Sequence, residues 1–314
     1  MSVDAVDLHE VGPREGFQYE GIGRPDFISV DDKLRLITAL TRTGVRSIEA
    51  TSFVSPRAVP QMADADQVTR GLPEVAGVTF AAIYLNARGL QRAIEAGRYQ
   101  IEGRIMFTAS ETFSRRNQNR GHDEDVLMQR ESVELYRAHG IPVDSGVIMA
   151  AFGCNYEGDV PLRRVIQLVE QIAQICEENG SELLRLQLAD TMGWADPMAI
   201  RRAVAAVRAA VPDIDLSLHL HDTRGTGMAN LYAAMESGVR RFDTSVGGLG
   251  GCPFAGVAAG NVATEDVVFM CERMGVTTGI DLDAMIECAR TAQEIVAHPL
   301  PSRLLAAGAG LVAS

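Results

Sequence analysis

The sequence contains no long uninterrupted hydrophobic run, although 46% of its 314 residues are hydrophobic. Charged or polar residues interrupt every apolar segment before it reaches the roughly 18 to 20 residues that span a bilayer, so we expect no membrane-embedded segment and no membrane partner. An excess of basic residues is also absent, since 29 lysines and arginines stand against 41 aspartates and glutamates and the formal net charge is −12. This charge argues against nucleic acid as a partner.

Paired cysteines are absent as well. The five cysteines, at positions 154, 176, 252, 271 and 288, are widely spread and include no CxxC pair, and no secretory leader is recognisable. This pattern predicts reduced thiols in a cytoplasmic protein rather than a disulfide framework. Cys176, Cys271 and Cys288 fall within helical patterns, where we expect them to pack as small apolar side chains.

The sequence does contain a regular alternation of short β-patterned runs with longer helical patterns, eight such units in all. The predicted strands are Val3–Val11, Arg46–Phe53, Thr79–Leu85, Arg104–Ser110, Val143–Phe152, Leu183–Ala189, Leu216–His221 and Arg241–Val246. The predicted helices are Val30–Thr43, Pro60–Leu72, Ala87–Ala96, Asp125–His139, Pro161–Asn179, Pro197–Ala210, Ala229–Ser237 and Ala263–Met274. Glu111–His122 is predicted to be a polar loop.

Eight consecutive βα units over roughly 275 residues predict an α/β fold of the TIM (β/α)8 barrel type. A doubly wound open sheet is the alternative. Leu282–Ala297 has the pattern of an additional C-terminal helix, followed by a tail. No linker is visible, so we expect residues 1–314 to form a single barrel domain, with residues 282–314 as its C-terminal helix and tail.

The segment LSLHLHDTRG, from Leu216 to Gly225, contains two imidazoles spaced for one metal ion. His219 and His221 are two residues apart, so in a strand both rings point to the same face. Histidine is the commonest metal-ligating side chain. An isolated pair of this kind is as often an ordinary feature of a strand, and its interpretation therefore depends on the rest of the chain.

Polar side chains follow most of the predicted strands, where a TIM barrel places its active site. Arg14 and Glu15 follow the first strand, Glu49 closes the second, Asp190 follows the sixth, and a glycine-rich loop containing Cys252 follows the eighth. We therefore expect one site built from the C-terminal ends of several strands.

The chain resembles a known family, the 3-hydroxy-3-methylglutaryl-CoA lyases, which belong to the DRE-TIM metallolyases. The resemblance runs from about residue 3 to residue 303, and it is carried by motifs that occur in the same order. These include VGPREGFQYE at Val11–Glu20, SFVSPRAVPQMAD at Ser52–Asp64, GCNYEG at Gly153–Gly158, LADTMG at Leu188–Gly193, HLHDTRG, GLGGCPF and AGNVATED. The HxHDTxG element alone is shared by the wider superfamily.

The resemblance implies a divalent cation, Mg²⁺ or Mn²⁺, bound by Glu15, His219, His221 and Asn261. Carboxylate, amide and imidazole ligands with open positions suit such a cation, whereas a closed cysteine-rich set is typical of structural zinc. The implied substrate is an acyl-CoA. We expect the site to leave room for substrate oxygens.

The resemblance also implies the reaction, which is cleavage of a branched 3-hydroxyacyl-CoA such as 3-hydroxy-3-methylglutaryl-CoA to acetyl-CoA and acetoacetate, a step of leucine degradation. Its implied catalytic residues are Arg14, Glu49, Asp190, His219 and Cys252. Arg14 would stabilise the enolate, and Cys252 would donate a proton to it. Which of Glu49, Asp190 and His219 is the general base stays open, as does the oligomeric state, a homodimer or a higher homo-oligomer.

The chain departs from the family pattern at positions that we expect to face the substrate. Glu15 stands where the family has aspartate, Gly21 where it commonly has lysine, and Ala297 where it has an asparagine implicated in CoA binding. These departures leave alternatives open. They are a lyase for a related thioester of the citramalyl-CoA or isohexenylglutaryl-CoA type, a non-CoA hydroxy-acid aldolase or Claisen-type synthase, and a catalytically inactive metal-binding barrel.

Overall fold

The structure is a computed structural model that describes residues 3–20, 27–251 and 260–307. Its strands are β1 Asp7–Glu10, β2 Ser47–Ser52, β3 Thr79–Ile83, β4 Gly103–Thr108, β5 Val143–Met149, β6 Gly153–Cys154, β7 Gly158–Asp159, β8 Arg185–Asp190, β9 Asp215–Leu220 and β10 Arg241–Thr244. Its α-helices are α1 Phe17–Glu20, α2 Val30–Leu40, α3 Ala65–Gly71, α4 Ala87–Ala96, α5 Glu111–Gln118, α6 His122–Ala138, α7 Leu162–Glu178, α8 Pro197–Ala210, α9 Gly227–Glu236, α10 Thr264–Met274, α11 Leu282–Val296 and α12 Arg303–Ala307.

The main sheet has eight strands in the order β3-β2-β1-β10-β9-β8-β5-β4. Strand β1 pairs in parallel with β2, β2 with β3, β4 with β5, β5 with β8, and β8 with β9. Apart from the short β6 and β7, strands that follow one another along the chain are neighbours in this order, except β3 and β4, which stand at its two ends. Helices separate the successive strands. This is the arrangement of a (β/α)8 barrel, because each strand, crossover helix and next parallel strand forms one right-handed unit. The predicted fold class, a TIM barrel with an additional C-terminal helix, is confirmed.

The chain divides into two compact units. The first comprises Met1–Val3, Asn86–Gln91 and Ile101–Phe242. Its strands β4, β5, β8 and β9 pair in parallel, and Ala189 of β8 lies opposite His219 of β9. A Cβ atom at Gly146 in β5 would lie 2.9 Å from Cγ2 of Ile172 in α7. Glycine at this position therefore lets α7 pack closely on the strand.

The second unit comprises Asp4–Leu85, Arg92–Gln100 and Asp243–Ser314. In it, β1, β2 and β3 pair in parallel, and α2 begins where the Ser29 side chain accepts a hydrogen bond from the Asp32 amide at 3.1 Å. This cap satisfies one of the free N–H groups at the start of the helix. The apolar side of α2 buries Leu36, Ile37 and Leu40 in the core.

Several features differ from the sequence prediction. The helix predicted over Pro60–Leu72 is divided into a short 3-10 helix, Pro60–Met62, and α3. The segment from Glu111, predicted to be a polar loop, contains the helix α5, which Ser110 caps by accepting from the Phe113 amide at 3.1 Å. The short antiparallel pair of β6 and β7 was not predicted. The tail after α11 contains the helix α12. The sequence of α5, ETFSRRNQ, contains a single large apolar residue. A helix is recognised from apolar residues that recur every three to four positions, and α5 therefore shows no such pattern.

The described residues also bear on the membrane and cysteine predictions. No helix among the described residues is long and apolar enough to cross a membrane. Cys176, Cys271 and Cys288 are buried in α7, α10 and α11 as free thiols. Burial raises the pKa of Cys271 to about 11, which makes it an unreactive packing residue.

Candidate active site

The first site residues follow β1 in a turn of π-helix, Gly12–Gly16. The amides of Arg14 and Glu15 both donate to the carbonyl of Val11, at 3.1 and 2.8 Å. Turns of π-helix are rare in proteins as a whole, and many of those that occur lie at functional sites. Pro13 suits the first turn because the amide that it lacks has no intrahelical partner there. The local sequence therefore places a basic and an acidic side chain on one short, well-fixed turn.

Arg14 lies between two carboxylates of the second unit. Its Nε donates to Oε1 of Glu49 at 2.5 Å, and its Nη2 is 3.1 Å from Oε2 of Glu15. Burial disfavours the charged guanidinium, but Glu49, Glu15 and Asp243 outweigh this effect and raise the pKa of Arg14 above its usual value. Arg14 is therefore a permanent cation whose orientation is fixed by Glu49.

Asn261 lies close to the same glycine as Glu15. A Cβ atom at Gly250, where φ is 108°, would lie 2.7 Å from Nδ2 of Asn261 and 3.4 Å from Cγ of Glu15. Only glycine fits there, both in conformation and in space. Nδ2 of Asn261 donates to the carbonyl of Leu249 at 3.2 Å, while its buried Oδ1 has no hydrogen-bond partner among the described residues. A buried amide oxygen whose lone pairs are not used by a hydrogen bond is a suitable ligand for a hard cation.

Two buried carboxylates that the sequence did not single out support this part of the site. Glu10 accepts from the amides of Gly12 at 2.8 Å and Val246 at 2.9 Å, and from the Thr264 hydroxyl at 2.6 Å. Burial raises its pKa to about 7. It thus joins the π-helical turn to the loop after β10. The sequence carries no distinct signal for Glu10, because the predicted strand Val3–Val11 also contains two aspartates.

Glu265 has the same role at the other end of that loop. Its carboxylate accepts from the amide of Gly247 at 3.1 Å, and burial raises its pKa to about 7. Glu265 belongs to the AGNVATED motif, in which the resemblance to the lyases implies a role for Asn261 alone.

Asp190, the last residue of β8, lies in the first unit and is fully buried. Its Oδ1 accepts from the amide of Trp194 at 2.7 Å and its Oδ2 from the amide of Ala195 at 3.0 Å. Burial raises its pKa, although these amides and the imidazoles of His219 and His221 oppose the shift. Asp190 therefore holds the turn after β8, and its burial disfavours the charged form of the carboxyl group.

The two histidines point to the same side of β9, as their spacing predicted. Their Nε2 atoms are 2.9 Å apart, and their ring centroids are 5.0 Å apart at an angle of 54°. Both rings are buried, with 8% of His219 and 1% of His221 exposed. Two imidazole nitrogens at this separation can share a proton or face one metal ion.

The structure thus brings the predicted residues together within each unit. Asp190, His219 and His221 are neighbours in the first unit, and Arg14, Glu15 and Glu49 are neighbours in the second, where Asn261 lies by Gly250 close to Glu15. Cys252, the remaining predicted catalytic residue, lies outside the described residues.

The chain is similar to known lyases over almost all of its length. A family model described as HMGL-like matches residues 5–292. The hydroxymethylglutaryl-CoA lyase YngG of Bacillus subtilis (strain 168) is 39% identical over 301 residues, which are 96% of both chains. The 3-hydroxy-3-isohexenylglutaryl-CoA/hydroxy-methylglutaryl-CoA lyase of Pseudomonas aeruginosa is 40% identical over 286 residues, 91% of both chains.

The comparison of structures agrees with the comparison of sequences. An HMG-CoA lyase from Acinetobacter baumannii, solved in complex with coenzyme A and 3-methylmalate, superposes with a TM-score of 0.87 at 37% identity. The match covers 98% of this chain and 96% of the other. The family model and the relatives cover far more than half of the chain, and the chain therefore belongs to the HMGL-like family of lyases.

Proposed function

We propose that the protein is a divalent-metal-dependent carbon–carbon lyase that cleaves 3-hydroxy-3-methylglutaryl-CoA to acetyl-CoA and acetoacetate. The observation that carries this proposal is the arrangement of Arg14, whose guanidinium is oriented by Glu49 at 2.5 Å and lies beside Glu15 at 3.1 Å. A fixed cation of this kind is what a developing enolate oxygen requires. Membership of the lyase family supplies the substrate class.

The proposed metal ligands are Glu15, His219, His221 and Asn261. Glu15, His219 and His221 qualify by chemistry as a group that could hold a metal ion, and the Oδ1 of Asn261 has no partner among the described residues. Their mixture of oxygen and imidazole donors, with no cysteine, suits Mg²⁺ or Mn²⁺. When bound, such a cation polarises substrate oxygens and lowers the pKa of a hydroxyl group that it contacts.

The reaction moves one proton and one electron pair. The 3-hydroxyl group loses its proton to a base, and the bond between C2 and C3 breaks, which leaves a ketone on the acetoacetate fragment. The electron pair passes to the thioester fragment as an enolate, whose oxygen accepts hydrogen bonds from Arg14. A proton added at C2 then completes acetyl-CoA. Arg14 therefore acts on charge that exists only after bond cleavage begins.

The remaining residues differ in what they are able to do. Glu49 accepts from Nε of Arg14, so we assign it the positioning of that guanidinium. Asp190 and His219 are left as candidates for the base, because Asp190 ends β8 and His219 lies near the end of the neighbouring strand β9. Cys252 remains the proposed donor of the proton to C2, on the resemblance of its loop to that of the lyases.

A second candidate substrate is supported by a specific observation. The Pseudomonas aeruginosa relative, at 40% identity, is named for 3-hydroxy-3-isohexenylglutaryl-CoA as well as hydroxymethylglutaryl-CoA. Glu15 and Ala297 of this chain depart from the family pattern, which favours a changed acyl pocket. The same reaction chemistry would apply to the larger thioester.

The test is a coupled assay for acetyl-CoA release from purified protein loaded with Mg²⁺ or Mn²⁺. The panel is hydroxymethylglutaryl-CoA, isohexenylglutaryl-CoA and citramalyl-CoA, with the Arg14→Ala variant as the blank. We expect release from at least one of the first two thioesters, and release about 10³-fold slower from the variant. Release from neither thioester with the metal-loaded protein would refute the proposal. A cytoplasmic location, a role in leucine degradation and a homo-oligomeric state stay predictions.

A further inference from the structure

Trp194 is the only tryptophan of the chain and lies in the turn that follows β8, four residues after Asp190. Its indole Nε1 donates to Oδ1 of Asp159 at 2.6 Å, and the guanidinium carbon of Arg224 lies 4.7 Å from the centre of its ring. Asp159 belongs to β7, and Arg224 lies in the loop after β9, three residues beyond His221. The indole is therefore in contact with two other segments of the first unit.

Arg224 adds hydrogen bonds to these contacts. Its Nη1 donates to the carbonyls of Met192 at 2.5 Å and Gly193 at 3.2 Å, and its Nη2 donates to Oδ1 of Asn155 at 2.8 Å. Met192 and Gly193 belong to the turn after β8, and Asn155 lies between β6 and β7. A planar guanidinium is suited to such a role because its donors have a fixed geometry.

Two glycines make room for this cluster, which we define as Trp194, Arg224, Asn155 and Asp159. A Cβ atom at Gly153 would lie 2.1 Å from Cδ1 of Trp194, and one at Gly193, where φ is 61°, would lie 2.9 Å from Cβ of Thr223. Any larger residue at Gly153 would displace the indole. The backbone of three loops is thus fitted closely around Trp194.

The turn after β8 is held from two directions. The carboxylate of Asp190 accepts from the amides of Trp194 and Ala195, while Arg224 donates to the carbonyls of Met192 and Gly193. A movement of the turn that breaks the bonds to Arg224 also moves the two amides that orient Asp190. The position of Arg224 and the orientation of the Asp190 carboxylate are therefore mechanically linked.

We propose that the cluster of Trp194 and Arg224 is a positioning element that sets the orientation of Asp190 for proton transfer. The inference rests on the proposed function, because it concerns the proton transfer of that reaction. Neither residue is a catalytic residue here, since each acts through the turn. The same cluster also ties the loop after His221 to the turn after Asp190, so it fixes the acidic and the imidazole side chains of the first unit together.

The first experiment compares Arg224→Ala and Arg224→Lys with Arg130→Ala. Arg130 is a matched control, because it is an exposed arginine with an ion pair of 2.9 Å to Glu178 and no contact with the cluster. We expect Arg224→Ala to lower kcat roughly tenfold with KM changed less than twofold, because misplacement of a proton-transfer group acts on the chemical step. Arg224→Lys should recover part of the loss, and Arg130→Ala should behave as the wild type.

Tryptophan fluorescence reports on the surroundings of Trp194 independently of turnover, because Trp194 is the only tryptophan of the chain. Arg224→Ala should shift the emission maximum and increase quenching by acrylamide, while Arg130→Ala should change neither. An altered emission with kcat and KM both within twofold of the wild type would show that the cluster is structural only, and would overturn the proposal.

The second experiment does not depend on turnover. A double-mutant cycle on the free energy of unfolding combines Arg224→Ala with Asp190→Asn, and a second cycle combines Arg130→Ala with Asp190→Asn. Linked residues should give a non-additive result in the first cycle and an additive one in the second. If the wild type cleaves no thioester, the proposed function fails, and this cycle still decides whether Arg224 and Asp190 are linked. Additivity in the first cycle would refute the linkage.

Discussion

The two units present their reactive groups in opposite electrostatic states. In the second unit, Arg14 forms ion pairs with Glu49 and Glu15, and neighbouring carboxylates raise its pKa. In the first unit, Asp190 is held by two backbone amides, and burial raises its pKa. The surroundings of Arg14 favour its charged form, whereas the burial of Asp190 disfavours its charged form.

This difference separates two tasks of the proposed reaction. Stabilising an enolate needs a charge that does not titrate, and a guanidinium between carboxylates meets that need. Moving a proton needs a group whose charged form is not strongly favoured, and the burial of Asp190 acts in that direction. The contrast also predicts different results when each group is altered.

The largest effect is expected from Arg14. We expect Arg14→Ala to lower kcat by about 10³-fold, at the upper end of what the loss of one oxyanion donor costs, while KM changes little. Arg14→Lys should recover only a small part, because lysine cannot keep the geometry of the pair with Glu49. Steady-state kinetics on the best thioester of the panel measures both. A change confined to KM would make Arg14 a binding residue and would remove the contrast between the units.

The next effect concerns the imidazoles. His221→Ala should reduce bound metal in elemental analysis and lower the rate by about 10²-fold, because loss of a ligand weakens the binding of the metal. Chelation of the wild type should abolish activity, and added Mg²⁺ or Mn²⁺ should restore it. Full activity after exhaustive chelation, with no metal left in the sample, would refute the metal-dependent mechanism.

A smaller effect is expected from Glu15, which stands where the lyase family has aspartate. If the surrounding turn is adapted to the longer acid, Glu15→Asp should lower activity about tenfold on the best substrate, because a carboxylate displaced by about 1 Å is poorly placed. The variant is assayed on hydroxymethylglutaryl-CoA and on the best panel substrate. A gain on both thioesters would contradict adaptation and would indicate a weakened enzyme for hydroxymethylglutaryl-CoA.

The smallest effect is expected from Glu10, a buried carboxylate of the second unit that accepts hydrogen bonds from amides and a hydroxyl group. Its pKa is about 7 in the folded protein, against 4.5 for the ordinary group. Between these values the folded state binds more protons than the unfolded state, so stability falls as the pH rises from 4.5 through 7. Glu10→Gln should remove this loss, which is of order 3 kcal/mol at most.

The measurement for Glu10→Gln is urea unfolding at pH 5 and pH 8. The difference in stability between variant and wild type should move in favour of the variant at pH 8. Glu74→Gln is the control, because Glu74 is an exposed side chain paired only at the surface with Arg98. A difference for Glu10→Gln that is independent of pH would show that this carboxylate does not titrate in that range.

Much of the fold could be predicted from local patterns. Helices α4 and α8 begin and end at the predicted residues, Ala87 to Ala96 and Pro197 to Ala210, because a clear apolar period and, in α8, a proline at the first position define them. The helix α5 could not be predicted in this way. It is stabilised by the cap at Ser110 and by contacts from Glu157 to the Thr112 amide at 2.6 Å, which come from a distant part of the chain.

In the candidate site, too, features set by local spacing could be predicted, and features that depend on distant residues could not. The spacing of His219 and His221 in a strand was enough to predict that both rings share a face, because side chains alternate along a strand. The pairing of Arg14 with Glu49 joins residues 35 positions apart and depends on the parallel pairing of β1 with β2. The supporting carboxylate of Glu10 was missed for the same reason, since its partners Val246 and Thr264 are more than 230 residues away.

The sequence by itself determined the alternation of strands and helices, the family and the chemical types of the reactive residues, because these depend on short-range periodicity and on motifs. Only the tertiary structure decided in which direction the pKa of each of those residues is shifted. The reason is physical: the pKa of a side chain depends on its burial and on the charges within a few ångströms. For Arg14, Asp190 and Glu10, those neighbours are set by the packing of the strand ends and their loops.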